Sequence, residues 1–470
     1  MTEIELSPTV EPTRLWSAVR ESLVGSHRDY TEGAIGRAIL LLAIPMVLEL
    51  VLESVFAVVD VFFVSRLGAD AVATVGLTES MLIIIYAVAM GLSVGAMAIV
   101  ARRIGERDRD GASRAAVQAV VLGLVVAVPI GIGGATFAKP LLSLMGASPG
   151  VLDNSLYAAI MLGANVVIMM LFLINAAFRG AGDAAIAMRV LWIANAINIC
   201  LDPCLIFGLG PFPRLGVVGA AVATTTGRSV GVLIQLYWLS QQQGRIAIRR
   251  EHLRIDPVVM SSMVRLSASA VFQALISNTS WVGLVRILAS FGSDALAGYT
   301  IAIRVVIFAL LPSWGLANAA ATLAGQNLGA GKPERAATSV WHACLYNMLF
   351  LGAVSVVFVV LPRPLVASFT GEPAVAEVAV RGLRIVSSGF VFYAFGMVLT
   401  QAFNGAGDTF TPTVINLFCF WLFEIPAAYA LTRAGLGPDG VFWSIAISYS
   451  LLAVVSAALF RRGRWKLKTV

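Results

Sequence analysis

The sequence predicts an all-α, polytopic membrane protein with twelve transmembrane helices in two six-helix bundles. Hydrophobic residues make up 59% of the 470 residues and charged residues only 13%, whereas soluble domains contain about 25% charged residues. A bilayer-spanning helix needs about 20 apolar residues, and such stretches follow one another from residue 37 to residue 461. Short motifs of the first half also recur in the second half, which indicates a duplicated unit of six spans.

The internal repeat predicts how the two bundles are related. Leu67-Gly-Ala-Asp-Ala-Val-Ala73 resembles Phe291-Gly-Ser-Asp-Ala-Leu-Ala297, and Ala177-Phe-Arg-Gly-Ala-Gly-Asp183 resembles Ala402-Phe-Asn-Gly-Ala-Gly-Asp408, at an offset of about 224 residues. Six spans is an even number, so both halves start on the same side of the membrane. We therefore expect a pseudo-two-fold axis along the membrane normal, an arrangement found in transporters that bind substrate near the repeat interface.

Loop charges predict the orientation and the domain division. Basic residues cluster in the amino-terminal tail, the second and sixth loops and the carboxy-terminal tail, while the odd-numbered loops contain few. Positive charge stays on the cytoplasmic side, so both termini should be cytoplasmic, in a multi-pass protein of the cell membrane. The predicted segments are a tail at 1–33, an N-lobe at 34–240, a linker at 241–261, a C-lobe at 262–461 and a tail at 462–470.

Several classes of function are disfavoured by the composition. The net charge of +7 lies in the loops rather than on a nucleic-acid surface. The Gly-Ala-Gly-Asp turns lack the Lys-Ser/Thr of a phosphate-binding loop, so we expect no ATP site. No nucleophile–base pair or metal-ligand motif indicates an enzyme, and we expect no cofactor. The energy source should then be an ion gradient, since one charge crossing 100 mV releases about 2.3 kcal/mol.

Ionisable side chains within the spans are the main functional candidates, because they are costly at membrane depth. Glu49, Glu53 and Asp60 share one face of the first span, at spacings of four and seven residues. The fourth, fifth and sixth spans add polar residues, which are Tyr157, Asn175, Asn195, Asn198, Asp202 and Thr224. We therefore predict a polar pocket in the N-lobe, although asparagines can also simply join helices by hydrogen bonds.

The chemistry of this pocket suits a coupling ion. Burial and neighbouring carboxylates both favour the neutral form of a carboxyl group. Asp60, Asp202 and Glu53 are therefore expected to take up protons and to release them on exposure to water. Carboxylate and amide oxygens also suit Na⁺, and Asp60, Asn198 and Asp202 are the expected ligands in that case. The residues alone leave both ions open.

Several motifs together resemble the multidrug and toxic compound extrusion (MATE) family, in particular its archaeal and DinF-like branch. They are Pro45, Val59-Asp-Val-Phe-Phe-Val-Ser-Arg-Leu-Gly68, Asn198-Ile-Cys-Leu-Asp-Pro203, the two Gly-Ala-Gly-Asp turns and Gly325-Gln-Asn-Leu-Gly-Ala-Gly331. The resemblance covers residues 30–460. It implies a V-shaped transporter with two lobes that exports amphipathic, often cationic compounds in exchange for H⁺ or Na⁺.

The resemblance also implies roles for individual residues. Asp60 matches the first-helix aspartate, and Asn198 and Asp202 match an Asn-x-x-x-Asp pair of that branch. The remaining matches are Tyr157 and Asn175 at cavity positions and Pro45 at a helix-bending proline. We accordingly assign ion coupling to Asp60, Asp202, Asn198 and Glu53, the cavity wall to Tyr157, Asn175, Asn195 and Thr224, and a hinge to Pro45.

Departures from the family pattern place the coupling in the N-lobe. Glu53 stands where the branch usually has glutamine. Span seven and the interior of span ten contain no Asp or Glu, and Leu284 occupies the repeat position of Asp60. The expected protein is a monomeric exporter of a drug or metabolite, surrounded by membrane lipid. The alternative is a lipid-linked oligosaccharide flippase of the same superfamily, which would need a wide cationic cavity rather than an acidic one.

Overall fold

The computed structural model describes residues 12–26, 28–241 and 244–470, and all regular elements in these ranges are helices. Residues 1–11 and 27 of the predicted tail at 1–33, and residues 242 and 243 of the predicted linker, lie outside the described residues. Eleven described helices are long and apolar enough to cross a membrane, and a bent pair of helices supplies a twelfth span. The predicted all-α fold with twelve spans is confirmed.

The amino-terminal half contains ten helices among the described residues. They are α1 (Pro12–Val24), α2 (Ile35–Ser65), α3 (Ala69–Gly105), α4 (Arg109–Thr136), α5 (Ala138–Leu144), α6 (Pro149–Asp153), α7 (Ser155–Gly163), α8 (Asn165–Ala181), α9 (Ala184–Phe207) and α10 (Val217–Ser240). The fourth span consists of two helices, since α7 and α8 join at Ala164. Asn165 satisfies carbonyl groups at this break by donating to Leu162 O at 2.9 Å and to Ala127 O at 3.1 Å.

The carboxy-terminal half repeats this plan. Its helices are α11 (Pro257–Ala289), α12 (Ser293–Gly329), α13 (Pro333–Val360), α14 (Pro362–Ala367), α15 (Pro373–Ser388), α16 (Phe390–Gly405), α17 (Phe410–Asn416), α18 (Ile425–Leu431) and α19 (Asp439–Arg461). The tenth span is bent by 57° between α15 and α16, at Gly389. Two π-helical stretches, Leu417–Glu424 and Thr432–Leu436, flank α18 and complete the eleventh span.

The two halves pack against each other through α2 and α3 of the first half and α11 and α12 of the second. Glycines allow this close approach, because a Cβ at Gly105 would collide with the backbone of Gln326, and one at Gly329 with the carbonyl of Arg102. Gln326 also donates to the carbonyl of Gly180 at 2.9 Å. The halves are therefore in direct backbone contact where α3 and α12 end.

The segments near both ends of the described chain lie on the side of the molecule where α3 and α12 end. Near the amino terminus, Thr31 O accepts a hydrogen bond from Lys332 Nζ at 3.0 Å. Near the carboxy terminus, Lys466 Nζ forms a 2.7 Å ion pair with Glu334. Lys332 directly precedes α13 and Glu334 lies in its first turn, so both terminal segments meet the start of one helix. This agrees with an even number of spans.

Candidate functional site

The buried carboxyl groups of α2 and α9 come together within the amino-terminal half. α9 packs against both α2 and α10, and Asn195, Asn198 and Asp202 lie on one face of α9, at spacings of three and four residues. Asp202 is completely buried and lies within electrostatic range of Asp60. Oδ1 of Asp60 and both carboxyl oxygens of Asp202 have no hydrogen-bond partner among the described residues.

Asn198 joins this pair of acids to α10. Its Nδ2 donates to Thr224 Oγ1 at 2.9 Å, so the predicted residues Asn198 and Thr224 are in direct contact. Its Oδ1 is buried without a partner in the described part of the chain. Four buried oxygens from Asp60, Asn198 and Asp202 therefore have free acceptor capacity. Such oxygens can hold a proton or contribute ligands to a small hard cation.

Tyr157 of α7 closes this site from another side. Its side chain is buried, and its hydroxyl lies within electrostatic range of Asp60 and of Arg228. The predicted cavity residue Tyr157 thus lies within electrostatic range of the carboxyl group of Asp60. Because a neutral tyrosine hydroxyl can both donate and accept, it can respond to either protonation state of a neighbouring carboxylate.

Glu53 is held differently, by a buried arginine. Its Oε2 accepts a hydrogen bond from Asn195 Nδ2 at 3.1 Å, and its Oε1 lies 3.5 Å from Arg228 Nη2. Arg228 also donates to Tyr86 Oη at 3.2 Å. The sequence analysis missed Arg228, although an arginine in the middle of the apolar α10 is itself a signal for a buried ion pair.

Glu49 forms a separate cluster further along α2. Its Oε1 accepts a hydrogen bond from Asn175 Nδ2 at 3.1 Å and lies 3.5 Å from Arg179 Nη1. Asn175 Oδ1 in turn accepts from Gln235 Nε2 at 2.7 Å. With a rise of about 1.5 Å per residue, Glu49 and Asp60 lie about 16 Å apart along α2. The structure therefore does not bring Asn175 to the Asp60 site.

The charge of the amino-terminal interior differs from the expectation of an acidic pocket. Glu49 is paired with Arg179 and Glu53 with Arg228, and both arginines are largely buried. Asp60 and Asp202 form no salt bridge among the described residues. The uncompensated negative charge is thus concentrated on one pair of aspartates. Across the described ranges, no group of three or more His, Cys, Asp or Glu side chains is arranged to hold a metal ion.

A central cavity of about 490 Å³ lies between the two halves. Its wall is mainly apolar and aromatic, and its polar residues include Arg179, Gln273, Asn278, Asn318, Gln401, Asn404 and Asn416. The residues predicted to form a cavity wall, which are Tyr157, Asn175, Asn195 and Thr224, do not line this space. Three of them are engaged in hydrogen bonds between helices of the first half. The amide side chains of the second half were not predicted as cavity residues, although Gln and Asn within apolar spans indicate a polar site in the sequence.

The fold and these sites define a membrane transporter built from two repeated halves. The MatE family profile matches residues 45–204 and 269–430, one segment in each half. The chain belongs to the MATE family of transporters.

Relatives cover nearly the whole chain. The probable multidrug resistance protein NorM of Thermotoga maritima is 26% identical over 439 residues, which are 93% of this chain and 94% of that protein. The FAD transporter of Shewanella oneidensis is 26% identical over 435 residues, 91% of this chain and 95% of that protein. A solved multidrug resistance MATE family transporter in an outward-facing conformation has a TM-score of 0.86 at 27% identity, covering 96% of this chain and 99% of that one.

Proposed function

We propose that this protein is a secondary active multidrug exporter that exchanges its substrate for H⁺ or Na⁺. The observation that carries the proposal is the pair Asp60 and Asp202, which lie within electrostatic range of each other and form no salt bridge among the described residues, with Asp202 completely buried. Two buried carboxylates repel each other and lack water, so binding of a cation or proton stabilises the pair. The chemistry is therefore that of a site which alternately loads and releases a positive charge.

Ion uptake would change the shape of the amino-terminal half because the two aspartates belong to different helices. A charged pair favours separation of α2 from α9, and a neutralised pair permits close packing. Pro45 lies inside α2, where a proline removes one backbone hydrogen bond and allows bending. We assign Pro45 the role of hinge. An ion can drive alternating access only if it binds the two conformations with different affinities, and this pair supplies such a difference.

The central cavity is the proposed path for the exported molecule. Its aromatic wall suits amphipathic compounds, and its amides supply hydrogen bonds without fixed charge. The names of the relatives from Thermotoga maritima and Shewanella oneidensis point to drugs and to a large metabolite as substrate classes. One arginine that already contacts Glu49 is a weak site for a pyrophosphate, which weighs against the flippase alternative.

The proposed arrangement in the cell follows from the basic loops. Residues 34–240 and 262–461 form the N-lobe and the C-lobe, and the face that carries both termini is cytoplasmic because it is rich in Arg and Lys. We propose a monomer that works in the cell membrane without ATP. Loop charge and packing of the halves within one chain support these assignments.

The test is substrate transport by purified protein in proteoliposomes, with H⁺ and Na⁺ gradients imposed separately. Asp60→Asn and Asp202→Asn should each lose at least 90% of gradient-driven transport while keeping wild-type expression. Asp153→Asn, at an exposed position at the end of α6, is the matched control and should transport normally. Transport that responds to Na⁺ alone assigns Na⁺ as the coupling ion. Full gradient-driven transport by both asparagine variants would refute the proposal.

A further inference from the structure

Glu424 is the one carboxyl group buried in the membrane interior of the described carboxy-terminal half. It ends the π-helical stretch Leu417–Glu424 and is only 2% exposed. No hydrogen bond or ion pair reaches its carboxyl group from the described residues. A buried carboxylate without a counter-charge is costly, and breaking a buried pair is costly for the same reason. The position is therefore suited to a cation that arrives from outside the protein.

Three tyrosines from three different helices interact electrostatically with this carboxyl group. Tyr299 of α12, Tyr393 of α16 and Tyr449 of α19 each lie within electrostatic range of Glu424. The rings of Tyr393 and Tyr449 meet edge to face, with centroids 4.2 Å apart. Apart from these tyrosines, Cys419 is the titratable group that interacts with Glu424. No described arginine, lysine or histidine neutralises it.

The carboxyl group lies behind an aromatic part of the central cavity wall. Tyr393, Phe420 and Tyr449 line the cavity, and the rings of Phe420 and Tyr449 are 5.1 Å apart. Phe420 precedes Glu424 by four residues in the π-helical stretch, so the two side chains lie near one face of it. A molecule in the cavity therefore meets aromatic rings first and a carboxyl group next to them.

We propose that Glu424, Tyr393 and Tyr449 form a subsite of the central cavity that takes the positively charged group of an exported organic cation. The inference rests on the proposed export function and adds a site in the half that lacks the coupling aspartates. Aromatic rings attract weakly hydrated organic cations, and a nearby carboxylate supplies the opposite charge. An inorganic cation needs several oxygen ligands, whereas the cavity side of this site is aromatic. The amino-terminal aspartates thus load the coupling ion and Glu424 selects the substrate.

The test uses ethidium and tetraphenylphosphonium as probes, bound to the purified full-length chain in detergent. We expect Glu424→Gln to raise the Kd of both cations at least tenfold. Tyr393→Leu should weaken them by a similar factor and Tyr393→Phe by less than threefold, since the ring is kept. Thermal unfolding of each variant verifies that the fold is intact, and Asp153→Asn, at an exposed position outside both sites, serves as the binding-competent control.

Unchanged Kd values in folded Glu424→Gln, or a wild-type protein that binds neither cation, would overturn the subsite. Failure of the proposed function has a different signature. In that case Asp60→Asn and Asp202→Asn would retain gradient-driven transport, whatever the cation affinity of the Glu424 variant. Loss of cation binding in Glu424→Gln together with intact gradient-driven transport of an uncharged substrate is the result that assigns specificity to the second half.

Discussion

The two halves repeat one helical plan but contain different polar interiors. The first half contains four carboxyl groups within its helices, of which Glu49 and Asp202 are buried, together with Arg179 and Arg228. The second half contains mainly neutral amides, and Gln401 donates to Asn318 Oδ1 at 2.8 Å while Asn404 donates to Gln401 Oε1 at 2.7 Å. Charged groups can respond to an ion, whereas amides offer hydrogen bonds that do not depend on one. The difference indicates a division between ion coupling and substrate contact.

The sequences of the two halves are most similar at the turns and least similar at the residues of the candidate sites. Gly182 and Gly407 occupy equivalent turns with φ of 87° and 84°, a left-handed conformation that favours glycine. The following aspartates also match, since Asp183 lies 3.4 Å from Arg245 and Asp408 lies 3.4 Å from Lys468. Duplication has kept the residues that shape the backbone, while side chains within the membrane have diverged.

Removing one charge of the Glu49 cluster should have the largest effect on stability. Arg179→Met leaves Glu49 buried without its cation, which costs about 3–5 kcal/mol when a buried pair is broken. The double variant Glu49→Gln/Arg179→Met should recover most of this loss, because no unpaired charge remains. Thermal unfolding in detergent measures both, and Arg109→Met at an exposed position is the control. A double variant no more stable than Arg179→Met would contradict the pairing.

The next largest effect on stability should come from placing a carboxyl group at Leu284, the position in the second half that corresponds to Asp60. Leu284 is 1% exposed and packs within the apolar core of that half. Leu284→Asp should destabilise the protein by about 2.5–3.5 kcal/mol, the insertion cost of a charge at membrane depth. Leu284→Met should cost less than about 1.5 kcal/mol, since it keeps volume and polarity. Equal unfolding temperatures for the two variants would show that both halves tolerate the acid.

Removing the hydrogen bond between α9 and α10 should cause the smallest loss of stability. It also distinguishes a structural role of Asn198 from a role in binding the coupling ion. Asn198→Ala and Thr224→Val each remove the same hydrogen bond and should each cost about 1 kcal/mol. If Oδ1 of Asn198 also contacts the coupling ion, only Asn198→Ala should shift the ion concentration for half-maximal transport. Identical ion responses in the two variants would reduce Asn198 to a structural link between helices.

The class of fold could be read from the chain because it depends on properties that are local in sequence. Apolar length predicts each span, and an even number of spans follows from loop charges and the repeat. The approach of Asp60 to Asp202 was also predictable in outline, because each lies on a polar face of its own helix. Glu53 and Asn195 were likewise assigned to one pocket, and they share a hydrogen bond.

The side-chain pairs that join helices distant in sequence could not be predicted from the sequence. Arg228 pairs with Glu53 across 175 residues of sequence, and Asn175 bonds to Glu49 across 126. These contacts depend on how each helix is rotated and on where neighbouring helices cross. Hydropathy reports only that a helix is buried in the membrane. Asn175 was therefore grouped with the coupling aspartates although it bonds to Glu49, and the residues that line the central cavity were not predicted.

The sequence by itself determined the spans, the duplication, the turn glycines and the family, because each follows from residue type and spacing along one chain. Only the tertiary structure decided which buried acids have a counter-charge and which do not. The physical reason is that the free energy of a buried charge depends on groups within a few ångströms in space. Glu49 and Glu53 form salt bridges with arginines, whereas Asp60, Asp202 and Glu424 form none among the described residues.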